Sequence, residues 1–187
     1  MISRVDTGKF DIVEFDLRAL LDEFIETMAC RGQEKGLNIV LDVSKIDRSH
    51  VMGDPGRLRQ VLTNIVGNAI KFTRAGKIVI RAEVSQKADD KLRFKCVITD
   101  TGIGISENKL DTLFKFFTPV NASTTKVYGG SGLALCKKLC LLMDGDIYVT
   151  SIVGEGSRFT VELDLIERQQ PIDIMPAVSD IEHFKTC

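Results

Sequence analysis

The chain has 187 residues, 44% of them hydrophobic and 27% charged, an ordinary globular composition with enough apolar material for one good core. A formal net charge of -1 gives no electrostatic case for binding nucleic acid or a membrane surface. No apolar stretch approaches the length of a membrane-crossing helix and no signal peptide is visible, so the five cysteines, none in a Cys-x-x-Cys pair, are expected to be reduced thiols in a cytoplasmic setting.

Short strands and helices alternate along the chain. A strand is expected at 13–16, then a helix from Leu17 to Lys35, with Leu17, Leu20, Leu21, Phe24, Ile25 and Met28 as its buried stripe and Gly36 at its end. A strand near 37–43 follows, and His50 falls near a strand or loop. Asp54 and Pro55 suit the cap and first position of a second helix. Along it Leu58, Val61, Leu62, Ile65 and Ala69 recur at helical spacing, while Arg57, Gln60, Asn64, Asn68 and Lys71 line the other face. Strands near 77–84 and 92–99, a helix over Leu133 to Met143, and strands near 145–152 and 157–165 complete the pattern. Cys136 and Cys140 are four apart on that last helix, among Leu135, Leu139 and Leu142, and read as packing residues, since a metal site needs more ligands nearby. After Leu165 the pattern lapses, and Gln169 to Pro176 reads as a linker.

Three polar features carry chemistry. Taken alone, the polar stripe of the second helix is a solvated face, but asparagine is a mediocre helix former, and two of them one turn apart in mid-helix need a reason beyond solubility. Neutral oxygen ligands for magnesium are one such reason. The β-rich run Phe94 to Thr99 should set Asp100 at a strand end, ahead of Thr101-Gly102-Ile103-Gly104-Ile105. Gly102 and Gly104 allow a tight turn and the close approach of a flat ligand, and Asp100 can accept from an exocyclic amine such as that of adenine. By itself such a turn is more often a plain β-turn than a site. In Gly129-Gly130-Ser131-Gly132-Leu133-Ala134-Leu135 the glycines precede an apolar helix, whose free amides and dipole make an anion site. A flexible hinge is the other reading. The run is not the Gly-x-x-x-x-Gly-Lys-Ser/Thr phosphate loop, and no β-run feeds the glycines as a dinucleotide fingerprint requires.

In this order the three motifs resemble the N, G1 and G2 boxes of the GHKL ATP-binding superfamily, and in particular the catalytic domain of sensor histidine kinases. The stretches that carry the likeness are Gly53 to Thr73, Asp100 to Ile105, Leu113-Phe114-Lys115-Phe116-Phe117 as an F box, and Lys126 to Leu135. It covers nearly everything from Ile12 to Leu165.

The resemblance implies an α/β fold, a two-layer α/β sandwich of Bergerat type with a mixed sheet covered on one face by helices. It implies ATP and Mg2+ as cofactors. Asn68 would then ligate magnesium with Asn64 in support, Lys71 would contact phosphate, and Phe72 would pack near the nucleotide. Asp100 would read the adenine amine from the turn of Gly102, Ile103, Gly104 and Ile105, and Gly129, Gly130, Ser131, Gly132, Leu133, Ala134 and Leu135 would surround the phosphates. Phe114 to Tyr128 would be the mobile ATP lid, including Phe117, with Lys126 neutralising phosphate charge and a small, polar run from Asn121 to Thr125. Gly154-Glu155-Gly156-Ser157 looks like a last glycine motif, with Ser157 either bonding near Asp100 or serving a simple turn.

Two departures from the family pattern bear on activity. The family usually has Gly-Leu-Gly-Leu where this chain has Gly132-Leu133-Ala134-Leu135; alanine keeps its amide, but its methyl can crowd a phosphate and so reduce affinity. Superfamily hydrolases carry a glutamate one turn before the magnesium asparagine, and here that place is Asn64. An amide cannot act as a general base near neutral pH, which favours phosphoryl transfer to another domain over hydrolysis.

The accepting group is expected outside this chain, because neither Ser49-His50-Val51 nor Glu182-His183-Phe184 has the His-Glu/Asp-x-x-x-Pro context of a phosphoacceptor. By the same resemblance, residues 1–11 would be the end of a dimerisation helix and its hinge, 12–166 the catalytic ATP-binding domain, and 167–187 a linker or tail, leading in hybrid kinases to a receiver domain. The partners implied are the dimerisation and phosphoacceptor domain of the same kinase, a response regulator or receiver domain, and a second copy in a homodimer, with no nucleic acid. The parent is expected to be anchored in the inner or plasma membrane with this domain in the cytoplasm. A GHKL hydrolase or clamp, and a degenerate nucleotide-binding module motivated by Ala134, are the alternatives. Steady ATP turnover by the chain alone would mark the first.

Overall fold

The computed structural model describes residues 11–88, 90–110, 112–113 and 131–168. Strand alternation fixes which side of the sheet is wet. In β5 (Lys91–Asp100) Leu92, Phe94, Cys96 and Ile98 are buried while the residues between them are partly exposed, and β4 (Lys77–Ala88) repeats this with Ile78, Ile80, Ala82 and Val84. β7 (Gly156–Glu167) buries Phe159, Val161, Leu163 and Leu165 in the same way. These three strands pair antiparallel, β4 with β5 and β5 with β7. β2 (Asn38–Lys45) adds parallel to β4, so the sheet is mixed.

The far edge of β7 is shared by two strands. β6 (Asp146–Ile152) pairs with Gly156 to Glu162, and β3 (His50–Gly53) takes over at Ile166 and Glu167. β1 (Val13–Asp16) pairs antiparallel with β3, giving the order β1-β3-β7-β5-β4-β2 with β6 beside β7.

α1 (Leu17–Gln33), α2 (Pro55–Phe72) and α4 (Ser131–Leu142) pack on the apolar face, α2 between the other two. Their buried residues and the inward strand residues form one continuous core. The opposite face carries the cross-strand ion ladder Lys45–Glu83–Lys95–Glu162, with separations of 3.6, 3.9 and 3.8 Å. Such exposed pairs contribute little stability and mark that face as solvated. Helices on one face of a mixed sheet make the expected two-layer α/β architecture. Among the described residues no helix is long and apolar enough to cross a membrane.

The local signals act as the sequence suggests, with shifts at the ends. Asp16 caps α1 by accepting from the Arg18 and Ala19 amides at 2.9 and 3.1 Å. Asp54 accepts from the Arg57 amide at 2.9 Å, and Pro55 opens α2. α1 stops at Gln33 rather than Lys35, which leaves Lys35 free to reach across and donate from Nζ to the Ile70 carbonyl at 3.1 Å, at the C-terminal end of α2. α4 begins at Ser131, two residues before the apolar run. A short helix, α3 (Glu107–Leu110), was not expected, and His50 lies in a regular strand.

Candidate functional site

Asp100 ends β5 and is buried. Its Oδ1 accepts from the Gly102 amide at 2.8 Å, and the backbone N–H of Ser157, its partner across the β5–β7 ladder, also donates to the carboxylate. Burial pushes its pKa above the ordinary aspartate value, and the two amides pull the other way without offsetting it.

The turn after Asp100 is clasped from both sides. The Ile103 amide donates to the Phe72 carbonyl at the end of α2 at 3.2 Å, and Gly154 donates to the Ile103 carbonyl at 2.9 Å. A Cβ on Gly102 would lie within 2.7, 2.8 and 2.9 Å of Phe72 O, Asp100 Oδ1 and Thr73 Oγ1, and Gly104 has φ +70 with its Cβ position 2.1 Å from Ile152 O. The protein itself therefore requires glycine at both places. Ser151 Oγ accepts from the Ile105 amide at 2.8 Å, donates to Gly156 O at 2.7 Å and lies 3.0 Å from Ser157 Oγ. With the Ser151 proton committed to Gly156, Ser157 is the donor of that pair. Its hydroxyl thus faces inward, and Ser157 meets Asp100 through its backbone. Thr73, at the C-cap of α2, is buried, and among the described residues its hydroxyl has no partner.

A second cluster forms where α2 meets the start of α4. Asn64 and Asn68 are half-buried on α2, and Lys71 and Phe72 are exposed at its end, the Lys71 ammonium 5.1 Å from the Phe72 ring centroid. Gly132 lies against Asn64: the nearest described atom to a Cβ built on it is Asn64 Oδ1 at 3.7 Å, and its φ is not positive. Unlike Gly102 and Gly104, Gly132 is not demanded by the described protein. Cys136 is fully buried and donates to the Val61 carbonyl at 3.7 Å; burial pushes its thiol up to about 11, and the Asn64 side chain pulls the other way.

Asn64, Asn68, Lys71 and Phe72 thus share one helix, Asp100 to Ile105 close on its end, and Gly132 to Leu135 open α4 beside Asn64. Ala134 is buried, and two residues beyond Gly132 on a helix its methyl points to the other side, which does not favour its crowding a ligand beside Gly132. Phe117, Lys126, Gly129 and Gly130 lie outside the described residues, as does the Ser131 side chain. The sequence reading missed Thr73, Ser151 and the polar role of Cys136. For Cys136 a signal existed, since it stands one turn after Gly132 and so on its face.

Residues 53–167 match the family described as histidine kinase-, DNA gyrase B- and HSP90-like ATPase. The chain is 39% identical over 189 residues to the hybrid signal transduction histidine kinase L of Dictyostelium discoideum, covering 97% of this chain and 11% of that protein. It is 38% identical over 178 residues to sensor histidine kinase GacS of Pseudomonas protegens, covering 93% and 19%. Full-length ShkA, crystallised in complex with AMPPNP, superposes with a TM-score of 0.69 at 31% identity over 88% of this chain and 33% of that one. The chain spans less than a fifth of the length of either curated relative, 11% and 19%.

Proposed function

The chain belongs to the histidine kinase-, DNA gyrase B- and HSP90-like ATPase family, as the catalytic ATP-binding domain of a sensor histidine kinase, and from that premise we propose how it works. Residues 12–166 hold magnesium-bound ATP between α2, the Asp100 turn and the start of α4. They present its γ-phosphate to a histidine on a dimerisation domain outside these residues, within a homodimeric, membrane-anchored parent that passes the phosphoryl group to a receiver.

The observation that carries this is Gly132, a glycine that nothing described in the fold requires, with its bare side against Asn64. Room left between a helix start and a polar side chain suits a phosphate, which the free amides and dipole of α4 attract. At the other end Asp100 accepts from the adenine amine, and the Thr73 hydroxyl beside it, without a partner among the described residues, suits a polar base edge or its water. Phe72, exposed at the end of α2, packs near the base, and Lys71 contacts phosphate.

Asn68, supported by Asn64, fits magnesium, since both side chains offer neutral amide oxygens on one face of α2. When bound, the ion neutralises and orients phosphate oxygens. Asn64 in place of a general base disfavours hydrolysis, so the clamp or hydrolase alternative is not favoured.

Asn68→Ala should abolish the magnesium dependence of ATP binding, measured by calorimetry, with an unchanged melting temperature. Loss of the fold in this variant, or equal ATP and GTP affinity in the unmutated chain, would sink the assignment.

A further inference from the structure

The last turn of α2 ends in carbonyls that the helix itself cannot satisfy. Two of them find backbone partners: the Thr73 amide donates to Ala69 O at 3.0 Å, and the Ile103 amide donates to Phe72 O at 3.2 Å. Between these lie the Ile70 and Lys71 carbonyls, which no backbone amide among the described residues reaches. Lys35 serves them instead. Its Nζ donates to Ile70 O at 3.1 Å and lies 3.5 Å from Lys71 O. The ammonium there also meets the negative end of the α2 dipole, where a cation is favoured. Lys35 is itself held from behind, because the Gly32 carbonyl in the last turn of α1 accepts from the Lys35 and Leu37 amides at 3.0 and 2.9 Å. The end of α1 thus caps the end of α2 from a fixed backbone.

We propose that Lys35 is a positioning residue for nucleotide binding: it locks the turn of α2 that presents Lys71 and Phe72 and whose last carbonyl holds the Asp100 turn at Ile103. The inference rests on the nucleotide reading of the site. In that reading Lys71 meets phosphate and Phe72 packs near the base, so one ammonium outside the site sets both, together with the seam between α2 and the adenine turn. A side chain acting through this seam affects the base end as well as the phosphate end. A cation that met phosphate directly would affect only ligands that carry phosphate. The two roles therefore separate on adenosine, which has a base and no phosphate.

The test compares the full chain with Lys35→Met, which keeps most of the aliphatic stem without the ammonium, and with Lys35→Arg, which keeps a cationic donor. Calorimetry should show adenosine and magnesium-bound ATP both weakened about threefold to tenfold in Lys35→Met, the scale of one net hydrogen bond, and the larger part recovered in Lys35→Arg. Without nucleotide, exchange of the Ile103 and Thr73 amides should quicken in Lys35→Met and slow again in Lys35→Arg. A loss of affinity for ATP alone would make Lys35 a phosphate contact, and a lowered melting temperature with both affinities intact would make it a residue of stability only. Either result overturns the proposal, as does wild-type binding by Lys35→Met. Should Lys35→Met fail to fold, the NMR signal of the Lys35 ammonium in the unmutated chain decides: exchange as fast as that of a solvated lysine would overturn the proposal, and slowed exchange would support it. If the unmutated chain binds neither ligand, the nucleotide reading fails and this proposal with it, while Ile103 exchange in Lys35→Met separates that failure from a failure of the Lys35 hold.

Discussion

At Asp100 burial and recognition pull in opposite directions. Its raised pKa means that the folded state holds the carboxyl proton more tightly than the unfolded chain does. Its contribution to stability therefore falls as pH rises from the ordinary value of 3.8 through the raised one, and the penalty persists at neutral pH. Adenine binding has the reverse dependence: the carboxylate must be ionised, so affinity should fall on acidification with a midpoint above 3.8, which titration by calorimetry would read. Asp100→Asn should weaken ATP binding by about 1 to 3 kcal/mol, the scale of a charge-assisted hydrogen bond in a desolvated site, without lowering stability at neutral pH. A large drop in melting temperature with affinity intact would make Asp100 structural instead. The glycines divide in a similar way. Gly132→Ala should melt normally yet lose affinity for ATP and not for adenosine, whereas Gly102→Ala should damage the fold through its clash with Phe72 O. Asn64 and Asn68 stood out in the sequence because mid-helix asparagine is unusual. Thr73 and Ser151 did not, because hydroxyls at caps and strand ends are common and their environment is set by segments distant in the chain.

Among the elements, α2 bears most of the site and depends on its ends. Asp54→Ala should lower stability by about 1 kcal/mol, the usual loss of a helix cap, read as a lower urea midpoint with an unchanged slope. Affinity for ATP should be kept, since Asp54 lies more than two turns from Asn64. The long amphipathic helices and the alternating strands β4, β5 and β7 were legible because their period reports burial directly. β3 was not: four residues without a clean alternation become a strand only through pairing with β1 on one side and the end of β7 on the other. The start of α4 also came earlier than its apolar run, because Ser131 and Gly132 carry no hydrophobic signal although they are helical.

For the whole molecule, the central expectation is that the chain binds ATP but takes no label from its γ-phosphate. Adding the dimerisation domain, in cis or in trans, should restore labelling on a histidine of that domain. Acid-labile phosphate on His50, which is exposed on β3, or on His183, outside the described residues, would overturn this. The strand order has a mechanical side as well. β3 runs antiparallel between β1 and the last residues of β7, so the backbone enters this seam at its Gly53 end and leaves it toward its His50 end. An ion pair between Glu14 and Arg168 spans the same seam. Tension applied between residues 12 and 168 drags β1 and β7 in opposite directions along their length, loading the seam's hydrogen bonds together in shear rather than peeling them one by one. Force passed along the chain is thus borne at the sheet's edge, and the helix that carries Asn64 and Asn68 hangs outside the line of load.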